Sequence, residues 1–347
     1  YKNMKMTFRW YGEDDSVTLE NIKQIPNVTG VVSAIYDIPV GEVWPIERIQ
    51  ELKKVIHNAG LELEVIESVP VHEDIKLKRN DYQRYIDNYK ETIRNLAKCG
   101  IKCICYNFMP VFDWTRSSID HQLADGSYAL VYYKEEVDQL DPTKLSLPGW
   151  DASYSVEEVS ELIEAYKIQG EEGLWENLQY FIEEILPVAS ACDVNMAIHP
   201  DDPPWSIFGI PRIITNEKNL DRFLNLYDDI HHGLTLCSGS LGCATFNDMP
   251  KLIRKYGAMK RIHFAHVRNV KLLADGSFEE SAHYSSCGSL DMVELMKAYI
   301  ETGFEGYIRP DHGRMIWGEK GKPGYGLYDR ALGAMYLGGI IDALKGK

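Results

Sequence analysis

The sequence predicts a closed (β/α)8 barrel, the TIM-barrel fold class, from two observations. Short apolar segments typical of strands alternate eight times with segments of helical periodicity, without long runs of either type. Each of the last four strands ends in a side chain that can bind a metal, and barrels hold their chemistry at the carboxyl ends of their strands. An open doubly wound sheet shows the same alternation and is the alternative.

The predicted elements follow one another along the whole chain. We predict strands at residues 6–10, 28–36, 61–66, 101–107, 195–199, 233–237, 261–267 and 306–313. We predict helices at residues 18–24, 45–59, 81–99, 156–167, 173–192, 217–227, 249–256, 290–301 and 327–344. Pro45 and Gly60 mark the start and stop of the second helix, and Gly100 ends the third. Residues 1–347 are therefore expected to form a single barrel domain.

Residues 109–154 interrupt this pattern after the fourth strand. The segment is rich in Pro, Asp, Trp and Tyr, and it is much longer than an ordinary connection between a strand and its helix. We therefore predict an insertion, which acts either as a lid or as a subunit contact.

Composition excludes several classes of function. The chain has 45% apolar and 26% charged residues, which is enough to form a large core. Its 37 basic and 52 acidic residues give a net charge of −15, which repels nucleic acid and anionic membranes. We find no apolar run of roughly 18 residues and no signal-peptide core, and the seven cysteines lack disulfide-framework spacing. These features indicate a cytoplasmic enzyme that acts on a small molecule.

The main functional signal is a set of potential metal ligands at four consecutive strand ends. His199, Cys237, His266 and Asp311 end strands five, six, seven and eight. Because strand residues alternate between two faces, each of the four shares a face with the residue two positions earlier, and we assign that face to the barrel interior. Neighbouring strands then bring the four side chains within reach of one cation. Two imidazoles, a thiolate and a carboxylate suit zinc, iron(II), manganese or cobalt without choosing among them.

Other histidines and cysteines fit this site less well. His232 precedes strand six at the opposite rim, and His263 should face the surrounding helices. Cys103 and Cys105 alternate along strand four, as small residues that fill a barrel interior would. His283 follows strand seven on the catalytic side and is a candidate for substrate contact.

Five segments resemble those of the D-mannonate dehydratase family. They are 4–12 (Met-Lys-Met-Thr-Phe-Arg-Trp-Tyr-Gly), 199–204 (His-Pro-Asp-Asp-Pro-Pro), 236–242 (Leu-Cys-Ser-Gly-Ser-Leu-Gly), 262–269 (Ile-His-Phe-Ala-His-Val-Arg-Asn) and 310–313 (Pro-Asp-His-Gly). The resemblance covers essentially the whole chain, and the combination of the second and third segments is specific.

The resemblance implies a xylose-isomerase-like barrel and a bound Mn2+ or Fe2+ ion. It also implies the dehydration of D-mannonate to 2-keto-3-deoxy-D-gluconate in hexuronate (glucuronate) catabolism, and a homodimer. The family's metal-ligand positions fall on His199, Cys237, His266 and Asp311, the residues that the strand ends had already indicated.

Two residues near Asp311 are candidates for proton transfer. Removing water from a 2,3-dihydroxy acid requires a group that takes the C2 proton and a group that protonates the leaving C3 hydroxyl. His312 and Tyr325 are our candidates, and the resemblance supports both. Which of them is base and which is acid stays open. His312 could instead cap the last helix or support a ligand, and Tyr325 could simply pack.

A further group of polar side chains near the strand mouths is expected to hold the substrate. Arginine suits this role because its guanidinium offers a bidentate fork to carboxylates. The candidates are Arg9, Asn107, Arg268, Asn269 and His283. Arg309 should point into the barrel below Asp311, and we interpret it as structural.

Two other functions are compatible with the same barrel. A metal-dependent aldose–ketose isomerase also needs a cation that bridges neighbouring hydroxyls, although such enzymes rely on carboxylates and imidazoles rather than on a cysteine such as Cys237. A barrel that binds a sugar acid without turning it over is the third possibility.

Overall fold

Eight parallel strands close into a barrel in the computed structural model, which describes residues 4–149 and 154–345. The barrel strands are β1 (Lys5–Arg9), β2 (Gly30–Ser33), β3 (Glu62–Glu67), β4 (Cys103–Tyr106), β7 (Asn195–Ile198), β8 (His232–Cys237), β9 (Ile262–His266) and β12 (Tyr307–Arg309). They are hydrogen-bonded in the order β1-β12-β9-β8-β7-β4-β3-β2. The predicted closed barrel is confirmed, and the open doubly wound sheet is wrong.

Helices surround the barrel and follow its strands. They are α1 (Leu19–Lys23), α2 (Ile46–Asn58), α3 (Glu73–Leu77), α4 (Tyr82–Lys98), α5 (Lys134–Asp138), α6 (Val156–Ala191), α7 (Glu217–Leu224), α8 (Ser238–Gly242), α9 (Met249–Ala258), α10 (Met292–Glu301) and α11 (Leu327–Lys345). Ser155 and Glu158 form a reciprocal cap at the start of α6, where the side chain of each accepts a backbone N–H. Gly170 interrupts α6 with a φ of 70°, which explains why the sequence predicted two helices there. Among the described helices, none combines the length and the apolar character needed to cross a bilayer.

A second sheet of four antiparallel strands is built from two different loops. Strands β5 (Ser118–Gln122) and β6 (Tyr128–Tyr132) lie in the predicted insertion, whereas β10 (Val270–Leu272) and β11 (Phe278–Glu280) follow barrel strand β9. The order is β10-β11-β6-β5, so that β11 pairs with β6 and joins the two loops. The insertion after strand four is confirmed, except that residues 150–153 lie outside the described part of the chain. We call this sheet the upper sheet.

The barrel interior is filled by alternating residues, as the register predicted. The buried cluster inside the barrel consists of Val32, Val65, Cys103, Cys105, Ala197 and Phe264. The larger apolar core lies outside, between the barrel and the helices. Ala197 and Phe264 are each two residues before a proposed metal ligand, so the ligands lie above them on the interior face.

The last barrel strand is shorter than the predicted segment 306–313. Strand β12 ends at Arg309, because Pro310 has no N–H to donate to the ladder and Asp311 leaves the extended conformation with a φ of 63°. Asp311 and His312 therefore lie just beyond the strand. Non-glycine residues with positive φ are uncommon and are enriched at functional sites.

Candidate active site

A cavity of about 440 Å³ opens at the carboxyl ends of the barrel strands. Several predicted residues line it, namely Arg9, Asn107, His199, Arg268, Asp311, His312 and Tyr325. Cys237 and His266 are fully buried at the ends of their strands, next to this cavity floor. Trp114 and Asp113, from the insertion, complete one wall. The insertion therefore borders the cavity.

Three of the four predicted ligands converge at the floor of the cavity. One nitrogen of His199, the sulfur of Cys237 and one nitrogen of His266 all lie within 4.8 Å of one another. The barrel register explains this, because β8 pairs with β9 so that Cys237 lies directly opposite His266. His199 follows the neighbouring strand β7. These three residues form a possible metal site.

The remaining polar atoms of these three side chains are already hydrogen-bonded. His199 Nδ1 lies 2.7 Å from the carbonyl oxygen of Pro200, which leaves Nε2 free for a cation. Cys237 Sγ accepts hydrogen bonds from the backbone N–H (3.4 Å) and the hydroxyl (3.0 Å) of Ser240, and its thiol donates to Asp311 Oδ2 at 3.3 Å. His266 Nε2 lies 2.9 Å from Glu67 Oε1 and accepts from Arg309 Nε at 3.1 Å, and Nδ1 lies 3.4 Å from Arg309 Nη2. The arrangement fits a bound cation.

Asp311 lies beside these three ligands, held by two arginines. Its Oδ2 is 3.3 Å from Cys237 Sγ, and its Oδ1 is 3.8 Å from His266 Nδ1. Arg268 Nε donates to Oδ2 at 2.6 Å, and Arg309 Nη1 lies 3.0 Å from Oδ1. Among the described residues, two compact groups of possible ligands share His266, one with His199 and Cys237 and the other with Glu67 and Cys105. Asp311 belongs to neither group.

Three buried arginines, the half-buried Arg9 and four buried carboxylates form a continuous network around the site. Its ion pairs join Arg9 and Arg309 to Glu67, Arg309 and Arg268 to Asp311, Arg268 and Arg116 to Asp202, and the same two arginines to Glu280. The charges balance within this network, which is how buried ions are tolerated. Burial alone would raise the pKa of Glu67, but Arg309, Arg9 and His266 hold it well below its ordinary value.

His312 and Tyr325 form a hydrogen-bonded pair on the cavity wall. His312 Nε2 lies 3.2 Å from the Tyr325 hydroxyl, and Arg9 Nη1 donates to the same hydroxyl at 3.4 Å. Burial opposes a charge on either residue. The carboxylate of Glu280 nevertheless raises the pKa of His312, and the positive charges of His312 and Arg9 lower the pKa of Tyr325. The charge state of each group therefore influences the protonation of the other.

The predicted substrate-binding residues divide into those with free donors and those without. All guanidinium nitrogens of Arg268 are engaged, because Nε, Nη1 and Nη2 donate to Asp311, Glu280 and Asp202. Arg9 also binds Glu67, but its buried Nε has no hydrogen-bond partner within the described residues. Arg9 is therefore better placed than Arg268 to contact a substrate.

Asn269 and His283 do not line the cavity. The Asn269 amide nitrogen donates to the carbonyl oxygens of Tyr284 and Ser285, which closes the loop after β11. His283 Nε2 lies 3.0 Å from the carbonyl oxygen of Val267 and also contacts that of Pro310. Both side chains hold backbone segments in place, and their contact with substrate stays a prediction from the sequence.

Sequence reasoning missed two acidic residues next to the candidate site. Glu67 ends β3 on the same side of the barrel as the predicted ligands, so the strand-end criterion could have found it. Glu280 ends β11 in the upper sheet, where no sequence pattern indicated an active-site role.

Comparisons with known proteins point to one family. A family model described as D-mannonate dehydratase (UxuA) matches residues 4–347. Mannonate dehydratase 2 from Halalkalibacterium halodurans is 59% identical over 344 residues, covering 99% of this chain and 100% of the relative. The crystal structure of mannonate dehydratase from Streptococcus suis serotype 2 is 51% identical, has a TM-score of 0.93, and matches over 98% of this chain and 95% of its own.

The chain belongs to the D-mannonate dehydratase family. The predicted family is confirmed, and so is the prediction that the chain is a hydro-lyase of that family. A xylose isomerase domain protein from Planctomyces limnophilus, 12% identical with a TM-score of 0.56, matches over 100% of both chains and shares the fold. At that identity the likeness concerns the barrel alone, so it lends no weight to the isomerase alternative.

Proposed function

We propose that this chain dehydrates D-mannonate to 2-keto-3-deoxy-D-gluconate and water, as a step of hexuronate catabolism, with a divalent cation held by His199, Cys237, His266 and Asp311. The observation that carries the proposal is the convergence of the two histidines and the cysteine within 4.8 Å, next to the His312–Tyr325 pair. Family membership supplies the substrate class.

Mn2+ or Fe2+ is the proposed cation. A borderline set of imidazoles, thiolate and carboxylate accepts either ion. Asp311 becomes the fourth ligand in this proposal, since its Oδ2 is already 3.3 Å from Cys237 Sγ. When bound, the cation would supply Lewis-acid chemistry by neutralising charge on substrate oxygens.

The chain's own residues perform the proton transfers. One member of the His312–Tyr325 pair accepts the C2 proton, and the other protonates the C3 hydroxyl as it leaves. A separation of 3.2 Å between His312 Nε2 and the Tyr325 oxygen lets neighbouring carbon atoms of one substrate reach both groups. Groups positioned in this way each accelerate a reaction by roughly 100- to 10,000-fold.

Local positive charge holds the sugar acid against the net charge of −15. Arg9 and Lys322 line the cavity next to Tyr11, whose ring lies 4.4 Å from the Arg9 guanidinium carbon and 3.6 Å from Lys322 Nζ. We propose that Arg9 orients the substrate with its free Nε. Asn107 lines the same cavity, and we propose that it forms a hydrogen bond with a substrate hydroxyl.

A product assay with controlled metal content tests this function. Metal-free protein is reloaded with Mn2+ or Fe2+ and incubated with D-mannonate or with aldoses, and 2-keto acid is measured. We expect 2-keto acid from D-mannonate only in the loaded samples. Conversion of an aldose to a ketose would instead support an isomerase. Thermal stabilisation by D-mannonate with no product at any metal loading would support a binding barrel.

The homodimer and the cytoplasmic location stay predictions from the sequence. Sedimentation equilibrium of the metal-loaded protein measures the first directly.

A further inference from the structure

The proposed catalytic imidazole is contacted by a carboxylate from outside the barrel. His312 Nδ1 lies 2.5 Å from Glu280 Oε1, on the side of the ring opposite Tyr325. Glu280 is the last residue of β11, a strand of the upper sheet. The carboxylate that contacts His312 Nδ1 therefore does not come from a barrel strand.

Glu280 is fixed in place by backbone pairing and by two ion pairs. Strand β11 lies between β10 and β6, and the Glu280 residue is 5% exposed. Arg268 Nη1 donates to Oε1, and Arg116 Nε donates to Oε2 at 3.3 Å. The carboxylate therefore has a defined orientation.

Four side chains then form one hydrogen-bonded row along the cavity. Glu280 contacts His312 Nδ1, His312 Nε2 contacts the Tyr325 hydroxyl at 3.2 Å, and Arg9 Nη1 donates to that hydroxyl at 3.4 Å. A carboxylate that accepts from Nδ1–H fixes both the tautomer and the plane of an imidazole ring. Nε2 is then the atom presented to the cavity.

We propose that Glu280 is a positioning residue for the dehydration, which holds the His312 ring so that Nε2 faces Tyr325 and the substrate. This deepens the proposed function and rests on its assignment of His312 to proton transfer. The upper sheet then contributes to proton transfer through Glu280, although none of its described strand residues lines the cavity.

A purely structural role for Glu280 explains the contacts less well. Both arginines have another carboxylate, because Arg268 Nη2 donates to Asp202 at 2.8 Å and Arg116 binds Asp202 through two nitrogens at 2.9 and 3.0 Å. Neither arginine therefore depends on Glu280 alone. In contrast, Glu280 is the only hydrogen-bond acceptor that the described residues offer to His312 Nδ1.

The first test replaces Glu280 by an amide of the same shape. We expect Glu280→Gln to lower kcat by about 100-fold while KM changes by less than about threefold, because the ring orientation matters for proton transfer and less for binding. Glu279→Gln is the matched control. It carries the same change on the same strand, but Glu279 accepts from the Tyr133 hydroxyl at 2.7 Å and does not touch His312. Metal content and melting temperature are measured for both variants.

A double variant separates this inference from the proposed function. If Glu280 acts through His312, Glu280→Gln should have almost no further effect in a His312→Gln background. A His312→Gln enzyme with near-normal kcat would remove the proposed function's assignment of His312. Two results would overturn the role of Glu280 and leave that of His312 intact. In the first, His312→Gln is slow but Glu280→Gln has a near-normal kcat. In the second, the losses in kcat of the two single variants add up in the double variant.

Nitrogen-15 NMR of metal-free protein provides a readout besides activity. The His312 signals, assigned by their loss in His312→Gln, should show a proton on Nδ1 in the wild type and in Glu279→Gln. We expect a changed Nδ1 signal in Glu280→Gln. An unchanged signal, even in a variant that has lost activity, would reduce Glu280 to a structural residue.

Discussion

Strands β8 and β9 carry potential metal ligands at both ends, and the surroundings of the two ends are very different. At the carboxyl ends, Cys237 and His266 face the site, and His266 lies 2.9 Å from the Glu67 carboxylate. At the amino ends, His232 and His263 are buried, and burial lowers the pKa of His232 to about 4 and that of His263 to about 3. Charged partners from the neighbouring strand ends and loops, rather than the histidines themselves, distinguish a chemical site from a packed one.

The largest expected effect comes from the proton-transfer pair at the carboxyl ends. We expect His312→Ala to lower kcat by about 100- to 10,000-fold, because it removes one of the two groups that move protons. Metal content, measured by mass spectrometry of purified protein, should match the wild type. A near-normal kcat would exclude His312 from the chemistry.

Replacing a ligand should separate metal binding from folding. We expect Cys237→Ser to weaken Mn2+ binding by at least about 10-fold, since a serine hydroxyl is a poor substitute for a thiolate. Titration calorimetry of metal-free protein measures this. His232→Gln, at the other end of the same strand, should bind Mn2+ like the wild type. Equal affinities in the wild type and Cys237→Ser would contradict the proposed ligand set.

A change at Arg9 should affect the substrate more than the cation. Lysine keeps the charge of Arg9 but loses the fork that binds Glu67 and the Tyr325 hydroxyl. We expect Arg9→Lys to raise KM for D-mannonate by about 10-fold with metal content unchanged. An unchanged KM would show that Arg9 does not hold the substrate.

The smallest effect concerns stability at the amino ends. His232 Nε2 donates to the carbonyl oxygen of Phe223 at 2.7 Å, and burial lowers the pKa of His232 from 6.5 to about 4. His232 therefore binds a proton more readily in the unfolded chain than in the folded one. His232 stabilises the fold fully above pH 6.5, and this contribution is lost as the pH falls towards 4.

Urea titrations of metal-free protein at pH 7 and pH 5 test this effect. The wild type should lose about 1 to 2 kcal/mol more of its unfolding free energy between these pH values than His232→Gln, whose side chain does not titrate. Identical pH dependence in the two proteins would show that His232 is not buried as a neutral ring.

The fold and the ligand cluster could be predicted because both depend on short-range periodicity. Two-residue alternation placed His199 and His266 on the interior face, and the parallel order of the barrel brought their strand ends together. Family resemblance then identified the same positions. Glu67 obeys the same rule at the end of β3, but the predicted strand stopped at Ile66, one residue before it.

Contacts between distant loops could not be predicted in the same way. Arg116 and Glu280 form an ion pair across 164 residues of sequence, through pairing between two loops that leave different barrel strands. Similarly, Asn269 and His283 follow a strand end on the correct side of the barrel, yet they bind backbone carbonyls. Beyond the last paired residue of a strand, alternation no longer determines where a side chain points.

The position of the bound cation tests the central claim most directly. Crystals of the Mn2+-loaded protein, measured with X-rays at the manganese absorption edge, should show one anomalous peak within about 2.5 Å of donor atoms from His199, Cys237 and His266. A peak elsewhere, or a Cys237 sulfur remote from the ion, would contradict the account of the site.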